Sequence, residues 1–340
     1  MIKLPFVRAC ASAVFAVSVL PAVSMAAVPG AEFAVPQRLV DIGGRKLNLY
    51  CSGNGSPTVV FEAPSGSPGW TWWAVQPRVA AQTRACVYDR AGFGFSDPTP
   101  RAADIANAVD DLHKLLQASG EKAPYILVGN SIGGGIAAAY RWRFANEVSG
   151  LVLVEPMHED DFIRADAASQ GKVSAGEAEI AAYSDACAAK SVKGFASGSE
   201  LFKNCIGGAD PGLPAPVAQV DLKLRLTAAY WRANQTERHA FAEDRKQLRA
   251  ARQPFGDVPV IVLARGVSPY AVPGQPQSEG NKAVEAANLK LLTEVARTSR
   301  NGEVQVVAGS GHVIQETHPD AVVAAVAKVV GKVRKQDKAH

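Results

Sequence analysis

The chain has 340 residues, of which 47% are hydrophobic and 20% are charged, and its formal net charge at pH 7 is +4. These proportions are ordinary for a folded globular protein and exclude intrinsic disorder, which needs fewer apolar and more charged residues. The 30 glycines and 21 prolines follow no three-residue period, which excludes a collagen-like chain, and the weak positive charge implies no nucleic-acid partner.

Residues 1–26 are predicted to be a cleaved signal peptide. Lys3 and Arg8 form a short positive segment, residues 9–23 are almost wholly apolar, and Ser24-Met25-Ala26 is a small-x-small cleavage signal. The apolar run is shorter than the roughly 20 residues that span a bilayer, so we expect no stable membrane anchor. The sequence therefore predicts a periplasmic or secreted protein.

The predicted mature chain keeps four cysteines, and four cysteines allow three disulfide pairings. Their even number in an exported protein permits disulfides. Spacing favours Cys187 with Cys205, which leaves Cys51 with Cys86. Free buried thiols are the alternative for Cys51 and Cys86, because both lie in apolar, strand-like runs. No pair has the two-residue spacing of a zinc site, so we expect no metal there.

Strand-like and helix-like segments alternate through most of the chain. Residues 38–42 and 46–51 flank Gly43-Gly44 and predict a hairpin. Six later runs are short, rich in β-branched residues and not alternating, as expected of strands buried on both faces of a parallel sheet. These runs are residues 58–61, 85–88, 125–128, 151–154, 260–263 and 304–307. With helical patterns between them, such as 105–116 and 132–144, they predict an α/β fold with right-handed crossovers.

One long interval interrupts this alternation. The residues between Val154 and Val260 are rich in Ala, Glu, Lys and Arg, with helical stretches near 177–190 and 220–251 and no strand-like run. A helical insertion between two strands is expected to form a cap over the carboxyl edge of the sheet, where open α/β sheets bind ligands. We therefore predict a core of residues 27–155 and 256–340 and a cap of residues 156–255.

The first chemical signal is the G-x-S-x-G pattern Gly129-Asn130-Ser131-Ile132-Gly133. The pattern alone is weak, but here it joins a predicted strand to a helix of small residues. That position directs the Ser131 hydroxyl outward, near the positive end of a helix dipole. A phosphate-binding turn is the alternative, but the loop lacks the lysine and glycine spacing of a P-loop.

Nearly the whole mature chain resembles the α/β-hydrolase superfamily. The matching segments are residues 58–73, residues 88–96, the Ser131 turn, and Gly309-Ser310-Gly311-His312 followed by Pro319. The resemblance implies an eight-stranded, mostly parallel sheet flanked by helices. It also implies a serine nucleophile, a late histidine, and an acid between them in chain order. We assign residues 88–96 a structural role and no catalysis.

Among six histidines, His312 is the candidate base. It follows the last predicted strand in a glycine-rich loop, which lets its ring approach a serine on another loop. His158 and His239 belong to the predicted cap, and His318 is expected to flank the final helix.

The acid has several candidates. Many family members carry it just beyond the seventh strand, but here the residues at that position are Arg265-Gly266-Val267-Ser268. Glu155, at the end of the sixth strand, occupies an alternative acid position that the resemblance implies, from which a carboxylate can orient the imidazole. A carboxylate within about 3 Å of the His312 ring would identify the acid. The other candidates are Glu279, Glu285, Glu159 and Asp160.

The resemblance further implies two backbone donors for a developing oxyanion. One is the NH of Ile132, directly after the nucleophile, and the other comes from the loop at residues 62–67. Aligning Trp72 with the family's tryptophan places Ser65 at the second donor position. Pro64 has no NH, so an alignment shifted by one residue would leave the hole with one donor.

Three residues are candidates for the substrate pocket, namely Trp70 beside the oxyanion loop and His158 and Trp231 in the predicted cap. Core packing is the alternative for these tryptophans and is favoured for Trp72 and Trp73.

These features predict an exported serine hydrolase that cleaves carboxylic esters of small or apolar acyl groups through an acyl-enzyme on Ser131. Serine at this turn, in place of aspartate, argues against the haloalkane dehalogenase and epoxide hydrolase branches. The expected partner is a small-molecule substrate, and no metal or organic cofactor is implied. The sequence does not indicate an oligomeric state.

Two alternatives stay open. One is an aminopeptidase or amidase of the iminopeptidase type, in which a cap acid binds the substrate's free amine. Glu237, Glu243 and Asp244 are suitable acids, although a solvated helix face also explains them. The other is a non-catalytic binding protein with the same fold.

Overall fold

The computed structural model describes residues 28–272 and 274–338. The predicted signal peptide lies outside these residues. Within them, eight strands form one sheet. The strands are β1 (Arg38–Asp41), β2 (Lys46–Ser52), β3 (Thr58–Glu62), β4 (Ala85–Tyr88), β5 (Tyr125–Asn130), β6 (Val148–Val154), β7 (Val260–Arg265) and β8 (Gly302–Val307).

The strands are ordered β1-β2-β4-β3-β5-β6-β7-β8 across the sheet. The β1–β2 and β2–β4 pairs are antiparallel and the others are parallel, which confirms the predicted eight-stranded, mostly parallel sheet. Several strands extend beyond the predicted apolar runs. β6, for example, begins at Val148 and includes Ser149 and Gly150, because backbone pairing continues where side-chain hydrophobicity stops.

Helices cover both faces of the sheet in the part of the chain that the structure describes. They are α1 (Gln76–Ala80), α2 (Ile105–Ser119), α3 (Ile132–Arg143), α4 (Asp161–Ser169), α5 (Lys172–Lys193), α6 (Glu200–Cys205), α7 (Ala215–Arg225), α8 (Ala228–Ala251), α9 (Glu279–Ala296), α10 (Ile314–Thr317) and α11 (Pro319–Asp337). None of the described helices combines the length and the apolar composition that crossing a membrane requires.

Two hydrophobic cores lie on opposite faces of the sheet. Leu112 of α2, Ile136 of α3 and Leu291 of α9 belong to one core. Val79 of α1 and Val326 of α11 belong to the other. Because both faces are covered, both sets of alternating strand side chains are buried, and the strands read as unbroken apolar runs.

Five helices, α4 to α8, occupy the interval between β6 and β7. The sequence predicts one helical stretch over residues 220–251, but the structure divides this stretch between α7 and α8. Thr227 begins α8 by accepting a hydrogen bond from the backbone NH of Tyr230 at 3.3 Å. Threonine is a favoured residue at the N-terminal capping position of a helix. A capping residue does not change the hydrophobic periodicity, so the periodicity alone did not predict this helix start.

Both favoured cysteine pairings form disulfides. Cys51 of β2 and Cys86 of β4 face each other directly across the antiparallel pair, so free thiols at these positions are excluded. Cys187 of α5 and Cys205 of α6 join two of the five inserted helices, and they pack with Trp231 of α8.

We expect the Cys187→Ala/Cys205→Ala variant to lose about 3 kcal/mol of unfolding free energy, because a cross-link over a separation of 18 residues restricts the unfolded chain by roughly that amount. Urea denaturation under non-reducing conditions measures the change. The Cys51→Ala/Cys86→Ala variant, with a separation of 35, should lose at least as much. An unchanged denaturation midpoint in the first variant would contradict this stabilising role.

Candidate active site

Ser131 lies at the turn between β5 and α3. Its backbone has φ 57° and ψ −123°, a combination that residues other than glycine rarely adopt. The neighbouring positions 129 and 133 have no room for a Cβ atom and therefore require glycine. A Cβ on Gly129 would lie 2.2 Å from the carbonyl oxygen of Gly133, and one on Gly133 would lie 2.6 Å from that of Ala63. The glycines of the pattern therefore permit a tight turn that leaves Ser131 partly exposed at the start of α3.

Asn130, next to Ser131, ties the loop of His312 to this turn. Its side-chain NH₂ donates to the carbonyl oxygens of Val154 at 2.9 Å and His312 at 3.1 Å. Its side-chain oxygen accepts from Gln315 at 3.1 Å. The loop after β8 is thus held at the carboxyl ends of β5 and β6. No sequence pattern assigned a role to Asn130 or Gln315. The sequence feature that indicates such a role is the polar side chain of Asn130 at the end of an otherwise apolar, buried strand.

Glu155 follows β6 and contacts His312. The distance from Glu155 Oε2 to His312 Nδ1 is 3.5 Å, longer than the predicted separation of about 3 Å. Burial by itself raises the pKa of Glu155, but the contacts with His312 and Arg265 outweigh it and hold the pKa below its ordinary value. Glu155 is therefore an anion at neutral pH beside the ring. Within the described residues, the Ser131 hydroxyl forms no hydrogen bond with this ring.

The other acid candidates have basic partners of their own. The pairs are Glu279–Lys282, Glu285–Arg265, Glu159–Arg252 and Asp160–Arg249. Among the acids that the structure describes, Glu155 alone pairs with His312. The structure therefore brings one of the five candidates to the ring.

Arg265 holds the Glu155 carboxylate from the neighbouring strand. Its backbone NH donates to Oε1 at 2.8 Å, and its guanidinium Nη1 donates to Oε2 at 2.5 Å. Asn288 adds a longer contact to Oε1 at 3.3 Å. In the sequence, Arg265 marked only the absence of an acid after β7. In the structure, it keeps the acid of β6 ionised and oriented.

The oxyanion loop, residues 62–67, follows β3. Within the described residues, the backbone NH of Ser65 has no protein partner, whereas the NH of Gly66 donates to Glu237 at 2.8 Å. The NH of Ile132 belongs to the first turn of α3, where NH groups lack partners inside the helix. The NH groups of Ser65 and Ile132 are therefore both available to a ligand.

A cavity of about 550 Å³ lies beside the oxyanion loop. Gly66 and Trp70 line it from the sheet side, Asp210 from the loop between α6 and α7, Tyr230 from α8, and Glu316 from α10. Its volume is within the range of small-molecule sites. Of the predicted pocket residues, Trp70 lines this cavity, whereas Ser131 and His312 are not among its lining residues.

His158 and Trp231 have other surroundings. The Nε2 atom of His158 is 3.2 Å from a Glu159 carboxylate oxygen, and its Nδ1 accepts from the backbone NH of Asp160 at 3.0 Å. The indole NH of Trp231 donates to the carbonyl oxygen of Arg225 at 2.8 Å. Both side chains are buried, and neither lines the cavity beside the oxyanion loop. The structure assigns both to packing around the inserted helices.

Glu237 and Asp244 do not lie on a solvated helix face, contrary to the sequence expectation. Glu237 is 2% exposed and Asp244 is 0% exposed. Glu237 pairs with Arg90 at 2.8 Å, and Asp244 accepts from the backbone NH of Ile105 at 2.8 Å. Their partners are more than a hundred positions away in the chain, so no local pattern in α8 could reveal them.

Glu62 ends β3 directly before the oxyanion loop and is fully buried. One carboxylate oxygen accepts from the Tyr88 hydroxyl at 2.5 Å, and the other lies 3.9 Å from the Arg90 guanidinium. Burial raises the pKa of Glu62 to about 7, although Arg90 opposes this effect. Glu62 therefore changes charge near neutral pH.

The sheet order and the strand-to-helix turn at Ser131 define an α/β-hydrolase fold. The model of the alpha/beta hydrolase family matches residues 53–325, and the chain belongs to that family.

Individual relatives match more narrowly. The 2-hydroxy-6-oxo-2,4-heptadienoate hydrolase of Pseudomonas putida is 35% identical over 122 residues, which are 34% of this chain and 43% of that protein. The chain spans less than half the length of the curated relatives that it matches.

Solved structures share the fold over most of the chain. A thermophilic esterase from Thermogutta terrifontis has a TM-score of 0.54 and 20% identity, covering 85% of this chain and 94% of its own. The lip1 protein of Acinetobacter baumannii AYE has a TM-score of 0.61 and 16% identity, covering 90% and 95%. At these identities the likeness shows the fold alone.

We expect the unfolding free energy to fall as pH rises from about 4.5 to about 7, because the unfolded chain releases the Glu62 proton near 4.5 and the folded chain keeps it to about 7. Glu62 contributes at most about 1.4 kcal/mol per pH unit in this window. Asp244, whose pKa burial raises to about 7, acts in the same direction.

The Glu62→Gln variant cannot ionise at this position, so its unfolding free energy should depend less steeply on pH than that of the wild type. Urea denaturation across the same pH window measures both slopes. Equal slopes would show that Glu62 ionises normally in the folded protein.

Proposed function

We propose that the protein is a serine hydrolase that cleaves carboxylic esters of small or apolar acyl groups through an acyl-enzyme on Ser131. The observation that carries this proposal is the 3.5 Å contact between His312 and the buried anion of Glu155. Asn130 ties the loop of this histidine to the turn that presents Ser131. The proposed nucleophile, acid and base follow β5, β6 and β8, whose carboxyl ends lie at one edge of the sheet.

In the proposed reaction, Ser131 attacks the ester carbonyl carbon and transfers its proton to Nε2 of His312. Glu155 holds the Nδ1 proton of the ring and stabilises the imidazolium that forms. The backbone NH groups of Ile132 and Ser65 stabilise the negative charge on the former carbonyl oxygen. His312 then gives its proton to the leaving alcohol and later accepts one from the water that hydrolyses the acyl-enzyme. The hydrogen bond between Ser131 and His312 forms in the substrate complex, because catalytic hydrogen bonds are often long in unliganded sites and shorten when substrate binds.

The charges of the cavity favour substrates without negative charge. Asp210 and Glu316 line it, while the cationic Arg225 is already paired with Asp221 at 2.7 Å. A carboxylate-bearing substrate would be repelled by these acids. We propose that the substrate extends from the oxyanion loop into this cavity, whose lining includes Gly66 but neither Ser131 nor His312, and that the substrate carries no carboxylate, in contrast to the heptadienoate named for the Pseudomonas relative.

The aminopeptidase alternative loses its candidate amine-binding acids. Glu237 and Asp244 are buried and bonded to protein groups, and Glu243 is exposed and paired with Lys246. A panel of neutral esters graded by acyl length, with prolyl amides alongside, separates the two activities. Faster turnover of the amides would favour the aminopeptidase.

We also propose that the protein is exported. Disulfides persist in oxidising compartments, and the chain forms two. The N-terminal sequence of the protein purified from its native cells tests this proposal. A chain that starts after Ala26 is expected, and a chain that keeps residues 1–26 in the cytoplasm would refute export.

We expect a fluorophosphonate probe to label the wild type and to leave Ser131→Ala unlabelled, because only an activated serine reacts. In-gel fluorescence measures the labelling, with heat-denatured wild type as the control for nonspecific reaction. Labelling that persists in Ser131→Ala would refute the nucleophile. Absence of labelling in the folded wild type would favour the non-catalytic binding protein.

We expect Glu155→Gln to lower kcat by about 10²-fold or more with little change in KM, because the neutral amide no longer stabilises the imidazolium. Initial rates of ester hydrolysis measure both constants. Glu279→Gln is the control, since Glu279 lies on the surface and pairs with Lys282 instead of His312. Comparable losses in the two variants would remove the role assigned to Glu155.

A further inference from the structure

We infer that Arg90 and Glu237 are positioning residues that together aim the backbone NH of Ser65 at the oxyanion. Glu237 belongs to α8, so a helix of the insertion between β6 and β7 completes the oxyanion hole. This inference rests on the proposed serine hydrolase and names two residues that act on its donor without touching the substrate.

Arg90 fixes the first half of the oxyanion loop. Its side chain is 6% exposed, and its guanidinium donates to the carbonyl oxygens of Ala63 at 2.6 Å and Pro64 at 2.9 Å. Two carbonyl groups of consecutive residues therefore point at one planar cation. A guanidinium presents its donors in a rigid fork, so it orients the backbone more strictly than a single ammonium would.

The orientation of the Pro64 carbonyl determines that of the Ser65 NH. Both groups belong to one peptide unit, and this unit is not among the cis peptides of the described chain. In a trans unit the C=O and N–H bonds point in opposite directions. Because the Pro64 oxygen points at Arg90, the Ser65 NH points away from Arg90.

Glu237 fixes the next peptide unit. Its Oε1 accepts from the NH of Gly66 at 2.8 Å, and its Oε2 accepts from Arg90 Nη2 at 2.8 Å and Nε at 3.1 Å. The backbone has two soft dihedrals at Ser65. One rotates the peptide unit before Ser65, which Arg90 holds, and the other rotates the unit after it, which Glu237 holds. The loop is therefore fixed on both sides of the predicted donor.

Glu237 is also the close charged partner of a buried cation. Arg90 is 3.9 Å from Glu62 but 2.8 Å from Glu237. A buried guanidinium without a partner is strongly destabilising, so loss of the Glu237 charge should displace Arg90 and the loop that it holds.

One face of α8 contacts Gly66 through three side chains. The Tyr230 hydroxyl donates to the Gly66 carbonyl oxygen at 3.3 Å, while Glu237 accepts from its NH. A Cβ on Gly66 would lie 2.6 Å from the Asn234 amide nitrogen, and Gly66 has φ +73°. Residues four and three apart lie on the same face of a helix, so Tyr230, Asn234 and Glu237 form one contact surface for the loop.

The test compares two variants at Glu237 with a matched buried acid on the same helix. Glu237→Ala removes both contacts, and Glu237→Gln keeps the size of the side chain and removes its charge. Asp244→Asn is the control, because Asp244 is equally buried in α8 and also accepts a backbone NH, but that NH belongs to Ile105 of α2.

We expect Glu237→Ala to lower kcat by about 10²-fold, the typical cost of one oxyanion donor, with a much smaller change in KM. Glu237→Gln should show a smaller loss in the same direction, and Asp244→Asn should keep the wild-type kcat. All four proteins are also compared by thermal melting, which reports a general loss of stability.

A second readout separates positioning of the donor from general damage. Each variant is assayed with an ester and with the matching thionoester, whose sulfur accepts hydrogen bonds weakly. A misplaced Ser65 NH should slow the ester more than the thionoester, so the ester-to-thionoester ratio of kcat should fall in Glu237→Ala. A role in stability alone would lower both rates equally.

Three results would overturn the inference while leaving the serine hydrolase intact. They are an unchanged kcat in Glu237→Ala, an unchanged ester-to-thionoester ratio, and a loss in Asp244→Asn equal to that in the Glu237 variants. Failure of the proposed function has a different signature, since hydrolysis by Ser131→Ala would remove the nucleophile and the inference with it.

Discussion

The candidate site depends on a buried negative charge, the carboxylate of Glu155, that contacts both an arginine and a histidine. Glu155 is 4% exposed and would resist ionisation if it had no partners. Arg265 donates to it from the next strand through both its backbone and its guanidinium, so the carboxylate stays charged. The His312 ring lies 3.5 Å away and is the more exposed partner. A fixed carboxylate beside Nδ1 orients the ring and, in the proposed reaction, stabilises the imidazolium that forms.

The order of the strands in the sheet brings the loops of the candidate site together. The oxyanion loop follows β3, Ser131 follows β5, Glu155 follows β6, and the His312 loop follows β8. In the strand order β3-β5-β6-β7-β8 these positions lie along one edge, although the chain separates the first and last by about 250 residues. Parallel strands bring their carboxyl ends to the same edge, and each parallel pair requires a long crossover connection, usually a helix.

A second buried ionic group lies on the other side of the nucleophile. Arg90 and Glu237 join the oxyanion loop to α8, as Arg265 joins Glu155 to β7. In both groups an arginine pairs with a buried carboxylate, and burial strengthens the electrostatic contact. Arg90 also donates to two backbone carbonyls, whereas Arg265 donates to Glu155 from its own backbone NH as well. The two groups differ in origin. Arg265 acts within the sheet, whereas Glu237 comes from the inserted helices, so the packing of the insertion bears on the site.

The sequence by itself determined the strands and the turn at Ser131, and it favoured His312 as the base and the two cysteine pairings. These follow from patterns within a few residues: apolar runs, small residues at a tight turn, and cysteine spacing. The tertiary structure decided which acid faces His312, that Glu237 and Asp244 are buried, and that α7 and α8 are separate helices. It also decided that Trp70, unlike His158 and Trp231, lines the cavity beside the oxyanion loop. The physical reason is that hydrogen bonds and ion pairs join residues far apart in the chain, and the sequence around one residue does not show which distant residue will be its partner.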